Sequence, residues 1–462
     1  MTSHIMDSEI YGDGWGTEEM RKIFDEKRRL QRWLDIEVAL AKTQAKLGVI
    51  PQKAAEEITR KAHIENIDLN QMKADFKQMQ HTLMPLLKGL QRLCEENYGE
   101  FIHYGPTTQD IEDTGAILEI KEAYKIILRD LRDIEELLIK LSQRYRDTIM
   151  CGRTHGQQAL PITLGLKFAI WLSEIRRSIE RFKEMKHRLF VGMLHGGAGT
   201  MAGLGSKGPE TLKMMMDELG LGVPDVGWGN ARDQLAEYVL VLAIAAGTLG
   251  KISNEIFELS KTELGELSEP FPKEGYIGSS TMPHKLNPEV SEQVVMLSRL
   301  IKSHASAALE AIVCEHERDS RSWRADWWTF PESSMMMGAI LSMTKHLLSG
   351  LIVHEDRIEK NLHMQEGLLL SEGMMFLLGE KIGKQKAHHI IKEAFLEAYK
   401  KKRPINKDIF FKKPEVTNVL SREQIEEIMD YRKHIGFSSE MVDKACQTSE
   451  RMRQSDGPFL DF

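Results

Sequence analysis

The stretch GSSTMPHKLNP, from Gly278 to Pro288, places two serines beside a His-Lys pair between segments that have helical periodicity. A hydroxyl, an imidazole and an ammonium group in one loop are the components of acid–base chemistry. Asn287 is a favoured N-cap and Pro288 suits the first helical position, so we expect a helix to resume at Glu289. The free N–H groups of a helix start attract an anion. This loop therefore indicates proton transfer on an anionic substrate.

Two other loops have the same construction. In HYGPTTQD, Thr107 and Thr108 stand just ahead of a long periodic segment; in RTHGQQALP, His155 and Gln157 precede a helix that we expect to begin near Pro161. Together the three loops supply hydroxyls, an imidazole and cations, which suits acid–base chemistry on a carboxylate-bearing substrate. Each loop also has a plainer interpretation: a threonine pair as a cap, a lone histidine as a structural residue, and loop serines as a linker.

Long helices must position these loops, because apolar residues recur at steps of three and four over most of the chain. From Ile117 to Tyr145 the apolar stripe continues for about four heptads. A second run, from Leu235 to Leu259, is apolar nearly all round in its middle, so we expect it to be buried on every side. No segment shows the alternation of a strand. We predict an all-α, elongated fold around a central long-helix bundle that other subunits help to complete.

The chain of 462 residues is too long for one ordinary core, so two or three subdomains are expected. The predicted helices are shorter at both ends than in the middle. We therefore predict an N-terminal helical domain at 1–108, a central bundle at 109–366 and a C-terminal helical domain at 367–462.

Composition excludes several classes of protein. The formal net charge of -7 gives no general attraction for nucleic acid or an anionic membrane, so we expect neither as a partner. The longest apolar run, Val239 to Gly250, is too short to cross a bilayer. Four cysteines lie far apart without CxxC spacing, which predicts reduced thiols rather than a zinc site. The N-terminus has no secretory signal pattern, and cytoplasm is the expected location.

The three loops also resemble a known family. GSSTMPHKLNP is similar to the signature of the fumarase/aspartase superfamily, and the other two loops match that superfamily's remaining conserved regions in chain order. The resemblance covers essentially the whole chain. It implies a three-part all-α fold and a homotetramer, with each active site built from loops of three subunits. We expect no cofactor and no metal.

The resemblance also implies a reaction, a β-elimination that usually releases fumarate. A base, here Ser280, takes the proton beside a carboxylate to give an aci-carboxylate carbanion, and His155 protonates the leaving group. By the same resemblance, Glu292 supports the histidine, Thr107, Thr108, Gln157, Lys285 and Asn287 bind carboxylates, and His81, Arg318, Arg321 and Trp323 complete the expected substrate-binding set.

Two branches of the superfamily compete for this chain. RTHGQ and HYGPTTQD look like adenylosuccinate lyase, whereas the N-terminal segment, Trp228 and the tryptophans of HERDSRSWRADWWTFPE resemble 3-carboxy-cis,cis-muconate cycloisomerases. Adenylosuccinate lyases place serines and an arginine in that last stretch to hold a phosphate, and an uncharged indole with one N–H cannot replace them. Arg321 and Arg324 keep the nucleotide alternative open. The presence of His155 indicates an enzyme that protonates a heteroatom leaving group.

We therefore predict a fumarate-releasing lyase acting on a small anionic dicarboxylate adduct. The adduct is adenylosuccinate or, as the tryptophans favour, a non-nucleotide compound. The alternatives are a 3-carboxy-cis,cis-muconate cycloisomerase and a catalytically silent structural protein, like the crystallins of this superfamily. The presence of Ser280, His155, Lys285 and Asn287 argues against silence.

Overall fold

The computed structural model describes residues 4–271, 277–400 and 408–457, and its architecture is all-α apart from short strands. The α-helices are α1 (Glu18–Ile23), α2 (Glu26–Lys46), α3 (Gln52–Lys61), α4 (Leu69–Met79), α5 (Met84–Leu93), α6 (Thr108–Arg144), α7 (Leu164–Leu189), α8 (Gly208–Leu219), α9 (Asp233–Ser260), α10 (Glu289–Glu310), α11 (Ser320–Ser349), α12 (Glu355–Leu362), α13 (Ser371–Ile382), α14 (Lys384–Lys400), α15 (Asp408–Phe411), α16 (Pro414–Thr417), α17 (Arg422–Ile428) and α18 (Ser438–Ser455). The strands are β1 (Ile149–Thr154), β2 (Gln157–Thr163), β3 (Leu267–Ser268) and β4 (Ile352–Val353), paired antiparallel as β1–β2 and β3–β4.

The centre of the molecule is a bundle of the long helices α6, α7, α9, α10 and α11. The predicted stripe on α6 is buried from Ile117 to Leu138, which confirms the heptad interpretation. Helix α9 is largely buried, yet Ile244 in its middle remains 47% exposed. The expectation that α9 is buried on every side is therefore not met within one chain.

Helix α9 is also long and apolar enough to cross a membrane by length and composition. However, 67% of its most apolar window is buried inside the fold. A core helix of a globular protein satisfies the same length and composition test, so this property does not distinguish the two.

The region before α7 differs from the prediction, because β1 and β2 form a hairpin where a helix was expected to begin near Pro161. Pro161 lies in β2 opposite Cys151. Helix α7 begins only after Thr163, whose hydroxyl accepts the N–H of Leu166 at 3.1 Å. The pairing register shifts between Gly152 and Arg153. This irregularity breaks the strict alternation by which a strand is detected in a sequence.

The C-terminal helices divide between two cores. Helices α13 to α17 surround a small apolar cluster of their own. Helix α18 instead packs on α6 and α7, where Arg453 pairs with Glu135 at 3.0 Å and Arg176 pairs with Asp456 at 2.8 Å. The domain limits at 108 and 366 remain predictions.

Candidate active site

The start of α6 is fixed by one buried carboxylate. Thr107 is the N-cap residue, and Asp110 in the first turn accepts its backbone N–H at 2.9 Å. The same carboxylate accepts the N–H groups of His195 at 2.8 Å and Gly196 at 2.9 Å. Three donors hold Asp110, so the threonine loop is bound firmly to the loop at 195–196 and Thr108 has a defined position.

His81 lies beside this helix start. Its Nε2 is 3.4 Å from the Thr108 hydroxyl, and its Nδ1 accepts the backbone N–H of Met84 at 3.2 Å. Burial, followed by the nearby charges of Arg324 and His103, lowers the pKa of His81. The hydrogen bond to Nδ1 favours the neutral tautomer with its proton on Nε2. His81 is therefore arranged as a neutral hydrogen-bond donor, while the Thr108 hydroxyl keeps its own proton for another acceptor.

His103 lies in the same loop as Thr107 and is a candidate site residue that the sequence motifs did not indicate. Its Nδ1 lies 2.7 Å from Glu37 on α2, and Glu37 also accepts its backbone N–H at 3.1 Å. Burial opposes a positive charge here, but the hydrogen bond and charge of Glu37 outweigh it and raise the pKa of His103. The contact with Glu37 thus favours the cationic form of His103 next to the threonine loop. The motif HYGPTT contains it, but its partner lies 66 residues away and has no local signal.

Three adjacent side chains of the stretch HERDSRSW, Arg321, Ser322 and Trp323, donate within the chain. Arg321 pairs with both Asp319 and Glu315 at 2.8 Å. The Ser322 hydroxyl donates to the Val313 carbonyl at 2.8 Å. The guanidinium charge of Arg321 is therefore already balanced by carboxylates, and the Ser322 proton is already engaged.

Trp323 is the third of these side chains, and it is part of a buried network. Its indole N–H donates to Asp113 at 3.0 Å. Asp113 also binds Arg232 at 2.7 Å, and Arg232 binds Asp326 at 2.6 Å. Burial, with Asp113 nearby, raises the pKa of Asp326 to about 6 although Arg232 opposes the shift. Only the ring of Trp323 remains for a ligand, since its single N–H is engaged.

Two cations at this end of the molecule are not balanced by carboxylates. Arg318 donates to the neutral oxygens of Gln109 and Gly197, both at 2.9 Å. Arg324 stacks on the rings of Trp323 and Trp327 at 5.6 and 5.5 Å, and it forms no ion pair within the described ranges. With His81, Thr108 and His103, these two arginines make the start of α6 a suitable place for an anion.

The second predicted loop is the tip of the β1–β2 hairpin. His155 and Gly156 form a two-residue turn in which φ is 52° and 75°, respectively. Two positive φ angles are typical of the type I′ hairpin turn, which favours Asn-Gly. His155 therefore occupies a left-handed conformation that a histidine adopts at some cost. Its imidazole and the neighbouring Gln157 are exposed.

The serine loop is described from residue 277 onward. The Ser279 hydroxyl accepts the N–H of Met282 at 3.0 Å and so helps to form the turn. Ser280 is exposed, and its side chain makes no hydrogen bond to any described residue. Lys285 in the same loop and Glu292 in the first turn of α10 are also exposed. The two serines thus differ: Ser279 holds the loop and Ser280 faces outward.

The start of α10 corrects one expectation. The helix does begin at Glu289, but the N-cap residue is Pro288, and the Asn287 side chain donates to the Gly278 carbonyl at 2.8 Å instead. The helix N–H groups are not free for a substrate, because Glu269 accepts the N–H of Ser291 at 2.7 Å. The predicted anion site at this helix start is therefore filled by the chain's own carboxylate.

Within one chain the threonine loop lies far from the other two loops. Helix α6 has 37 residues, which at 1.5 Å per residue makes it about 55 Å long. Thr107, Thr108, His81, Arg318, Arg321 and Trp323 lie toward its beginning, whereas the hairpin with His155 and Gln157 follows its end. The serine loop shares the hairpin's end of the molecule, because Arg153 in β1 binds Glu266 just before β3. No hydrogen bond joins residues 155–157 to residues 277–292 in the structure.

No metal site accompanies these groups in the part of the chain that is described. No three His, Cys, Asp or Glu side chains there are placed to hold an ion.

Comparison with known proteins connects this geometry to a family. A family model described as lyase matches residues 15–302, and one described as adenylosuccinate lyase C-terminus matches residues 367–445. The chain is 40% identical over 460 residues to N-acetyl-S-(2-succino)cysteine lyase of Dickeya dadantii (strain 3937), covering 100% of this chain and 99% of the relative. It is 40% identical over 438 residues to adenylosuccinate lyase of Methanocaldococcus jannaschii, covering 94% of each.

A solved structure gives the same result. The 3-carboxy-cis,cis-muconate lactonizing enzyme of Pseudomonas putida matches with a TM-score of 0.89 at 30% identity, covering 96% of this chain and 100% of that one. The chain therefore belongs to the lyase family of the fumarase/aspartase superfamily. It is a lyase, which confirms the predicted superfamily and enzyme class.

Proposed function

We propose that this lyase cleaves the carbon–sulfur bond of a non-nucleotide S-succino thioether and releases fumarate. The observation that carries the choice of leaving group is the state of Arg321, Ser322 and Trp323, which all donate within the chain. In that state only Nη1 of Arg321 is left as a side-chain donor, because its Nε and Nη2 groups bind carboxylates. A phosphate needs forked cations and hydroxyl donors, which this set no longer offers. Similarity along the whole chain to N-acetyl-S-(2-succino)cysteine lyase supports a thiol as the leaving group.

In the proposed mechanism Ser280, deprotonated in the closed site, takes a proton from the carbon beside one substrate carboxylate. The electron pair moves into that carboxylate and then forms the double bond of fumarate as the carbon–sulfur bond breaks. The sulfur leaves with the bonding pair and receives a proton from His155. The products are fumarate and a free thiol. Lys285, exposed on the serine loop, supplies positive charge that favours the serine alkoxide.

Other residues have supporting roles in this proposal. The substrate carboxylates are bound by hydroxyl, amide and cationic groups, and Glu292 supports His155. The binding groups are Thr107, Thr108, Gln157, Asn287, His81, Arg318 and Arg324. Arg321 and Trp323, which the sequence also suggested as ligand contacts, bind carboxylates of the chain instead.

The proposal also requires a homotetramer with composite sites. The start of α6 and the hairpin lie at opposite ends of a helix about 55 Å long. One chain therefore cannot bring Thr108 and His155 to the same small molecule. Exposed apolar side chains on the bundle support burial against other copies: Ile170 on α7 is 49% exposed, Ile244 on α9 is 47% exposed and Leu300 on α10 is 37% exposed.

Mixing two inactive variants tests the composite site. We expect a variant lacking Ser280 and a variant lacking His155 each to be inactive. After unfolding and refolding together in equal amounts, about a quarter of the sites would combine an intact serine with an intact histidine from different subunits. Recovery of thiol release is the measurement. Refolding each variant alone is the control, and the absence of any recovery in properly assembled mixtures would contradict the supply of Ser280 and His155 by different subunits.

A substrate comparison tests the leaving group. Purified protein is offered N-acetyl-S-(2-succino)cysteine, adenylosuccinate, succinyl-aminoimidazole ribotide, argininosuccinate and 3-carboxymuconate. Fumarate is followed by ultraviolet absorbance and the free thiol by a colorimetric reagent. We expect kcat/KM for the thioether to exceed that for adenylosuccinate by about a hundredfold or more. The polar groups of the nucleotide leaving group would be left unpaired in this site.

The other outcomes separate the alternatives. A preference for adenylosuccinate would overturn the non-nucleotide choice while keeping fumarate release. Turnover of 3-carboxymuconate alone would replace the proposal with the cycloisomerase activity. A folded protein inactive on every succino adduct, in both reaction directions, would support the structural, crystallin-like alternative.

A further inference from the structure

A buried carboxylate lies at the base of the hairpin that carries His155. Arg153, in β1, donates two hydrogen bonds to Glu266, at 2.9 and 2.5 Å. Asn361, at the end of α12, donates to the same carboxylate at 2.8 Å. The Glu266 side chain is fully buried, and three N–H groups converge on its two oxygens.

The second strand of the hairpin is bound to the same place. Gln158, in β2, donates to the backbone carbonyl of Asn361 at 3.1 Å. Arg153 and Gln158 are register partners across the hairpin, directly beyond the irregularity in the pairing. Such irregularities redirect the strand that follows and are frequent beside active sites. Both strands are therefore anchored to one point just before the His155–Gly156 turn.

The contacts of Glu266 also extend to the strand that leads to the serine loop. Glu266 directly precedes β3, from which the chain continues toward Ser280. Its backbone carbonyl accepts the N–H of His354, and the His354 ring lies 2.8 Å from the Ser268 hydroxyl. Glu266 is thus a common attachment for the hairpin and for the strand that leads to the loop.

Stability alone is a poor explanation for this arrangement. Burying an ion pair loses hydration, and apolar residues of similar size often stabilise a fold as well or better. What an Arg–carboxylate fork provides is orientation, because its two parallel hydrogen bonds permit little rotation. The tip of the hairpin needs that orientation, since it is exposed and has few other contacts.

We infer that Glu266 is a positioning residue that sets the direction in which the hairpin presents His155 to the substrate. This inference rests on the proposed function, in which His155 protonates the leaving group. A misplaced acid matters most when the leaving group is a poor one. A thiol of low pKa departs without protonation, whereas an alkyl thiol needs the proton.

The experiment measures kcat/KM for a series of S-succino thioethers, from aryl thiols of low pKa to alkyl thiols of high pKa. The Glu266→Gln variant keeps the shape of the side chain but offers one acceptor oxygen to three converging donors. We expect kcat/KM to fall by about tenfold to a hundredfold for the alkyl thiols and by less than about threefold for the aryl thiols. Arg153→Lys keeps the charge but not the fork, and we expect the same pattern with a smaller amplitude.

Glu135→Gln is the matched control. Glu135 is also fully buried and paired with arginines, Arg176 and Arg453, but it joins α6 to α7 and α18, away from the hairpin. We expect any loss of thermal stability in this variant to leave the dependence on leaving-group pKa unchanged.

Two results would overturn the inference. A loss of equal size for every leaving group in both Glu266→Gln and Arg153→Lys would show a general structural role, and wild-type rates in both would show no role. His155→Asn, measured on the same series, tests the proposed function separately. If that variant lost no selectivity for poor leaving groups, His155 would not be the acid. If His155→Asn lost selectivity but Glu266→Gln and Arg153→Lys did not, only the positioning role of Glu266 would fail.

Discussion

Replacement of Ser280 by alanine is expected to lower kcat by about a thousandfold or more, because the variant lacks the proposed base for the proton on the substrate carbon. KM should change little, since the carboxylate-binding groups remain. Ser280 is exposed and makes no hydrogen bond within the described part of the chain, so the loss of its hydroxyl removes no internal contact. The thermal midpoint and the assembly size of the variant should match those of the wild type. Steady-state kinetics and thermal unfolding provide the two measurements.

Ser279→Ala is the matched control for that variant. The Ser279 hydroxyl accepts the N–H groups of Met282 and Thr281, at 3.0 and 3.4 Å, so its removal loosens the turn. We expect a loss of activity of about tenfold or less, because the proposed base is retained and only its loop is less ordered. If Ser279→Ala were the inactive variant and Ser280→Ala retained near-normal rates, the base would have been assigned to the wrong serine.

Replacement of His155 by asparagine is expected to separate activity from stability. The proposed acid is lost, so turnover of alkyl thioethers should fall by about a hundredfold to ten-thousandfold. The turn, however, should be at least as stable as in the wild type. The residue has a φ of 52°, and asparagine tolerates the left-handed region of a type I′ turn better than histidine does. Kinetics and the thermal midpoint, measured on the same preparation, test both halves of the prediction.

His155→Val is the comparison for the stability half. A β-branched residue is strained at positive φ, so this variant should be both inactive and less stable than His155→Asn. An asparagine variant with a clearly lowered midpoint would show that the histidine has a structural role that its exposed position does not indicate. An asparagine variant with full activity would remove His155 from the mechanism.

The tip of the hairpin could be predicted from the sequence, whereas its two strands could not. RTHGQ is a recognisable motif, and from it the sequence predicts His155 and Gln157 as site residues. The strands around it are short and interrupted by a register shift, so periodicity favoured a helix beginning near Pro161. The strands also contact Glu266 and Asn361, which lie 113 and 203 residues away from their partners in the hairpin. A local pattern contains no information about such partners.

The two ends of α6 show the same limit for the site. Local periodicity was sufficient to predict the buried stripe from Ile117 to Leu138, because a helix face is defined by residues three and four apart. It did not predict that Asp110 would be bound by His195 and Gly196, or that His103 would pair with Glu37. These pairs form only when distant helices pack together.

The sequence by itself determined the helical class, the long helices and the loop motifs that place the chain in its superfamily, because each depends on residues close together in the chain. The tertiary structure decided which charges are already balanced. It places Glu269 on the helix start that had been expected to bind a substrate anion, and it pairs Arg321 with carboxylates. It also separates Thr108 from His155 by the length of α6, about 55 Å. Charge balance and distance are properties of groups brought together from far along the chain, so only the folded molecule defines them.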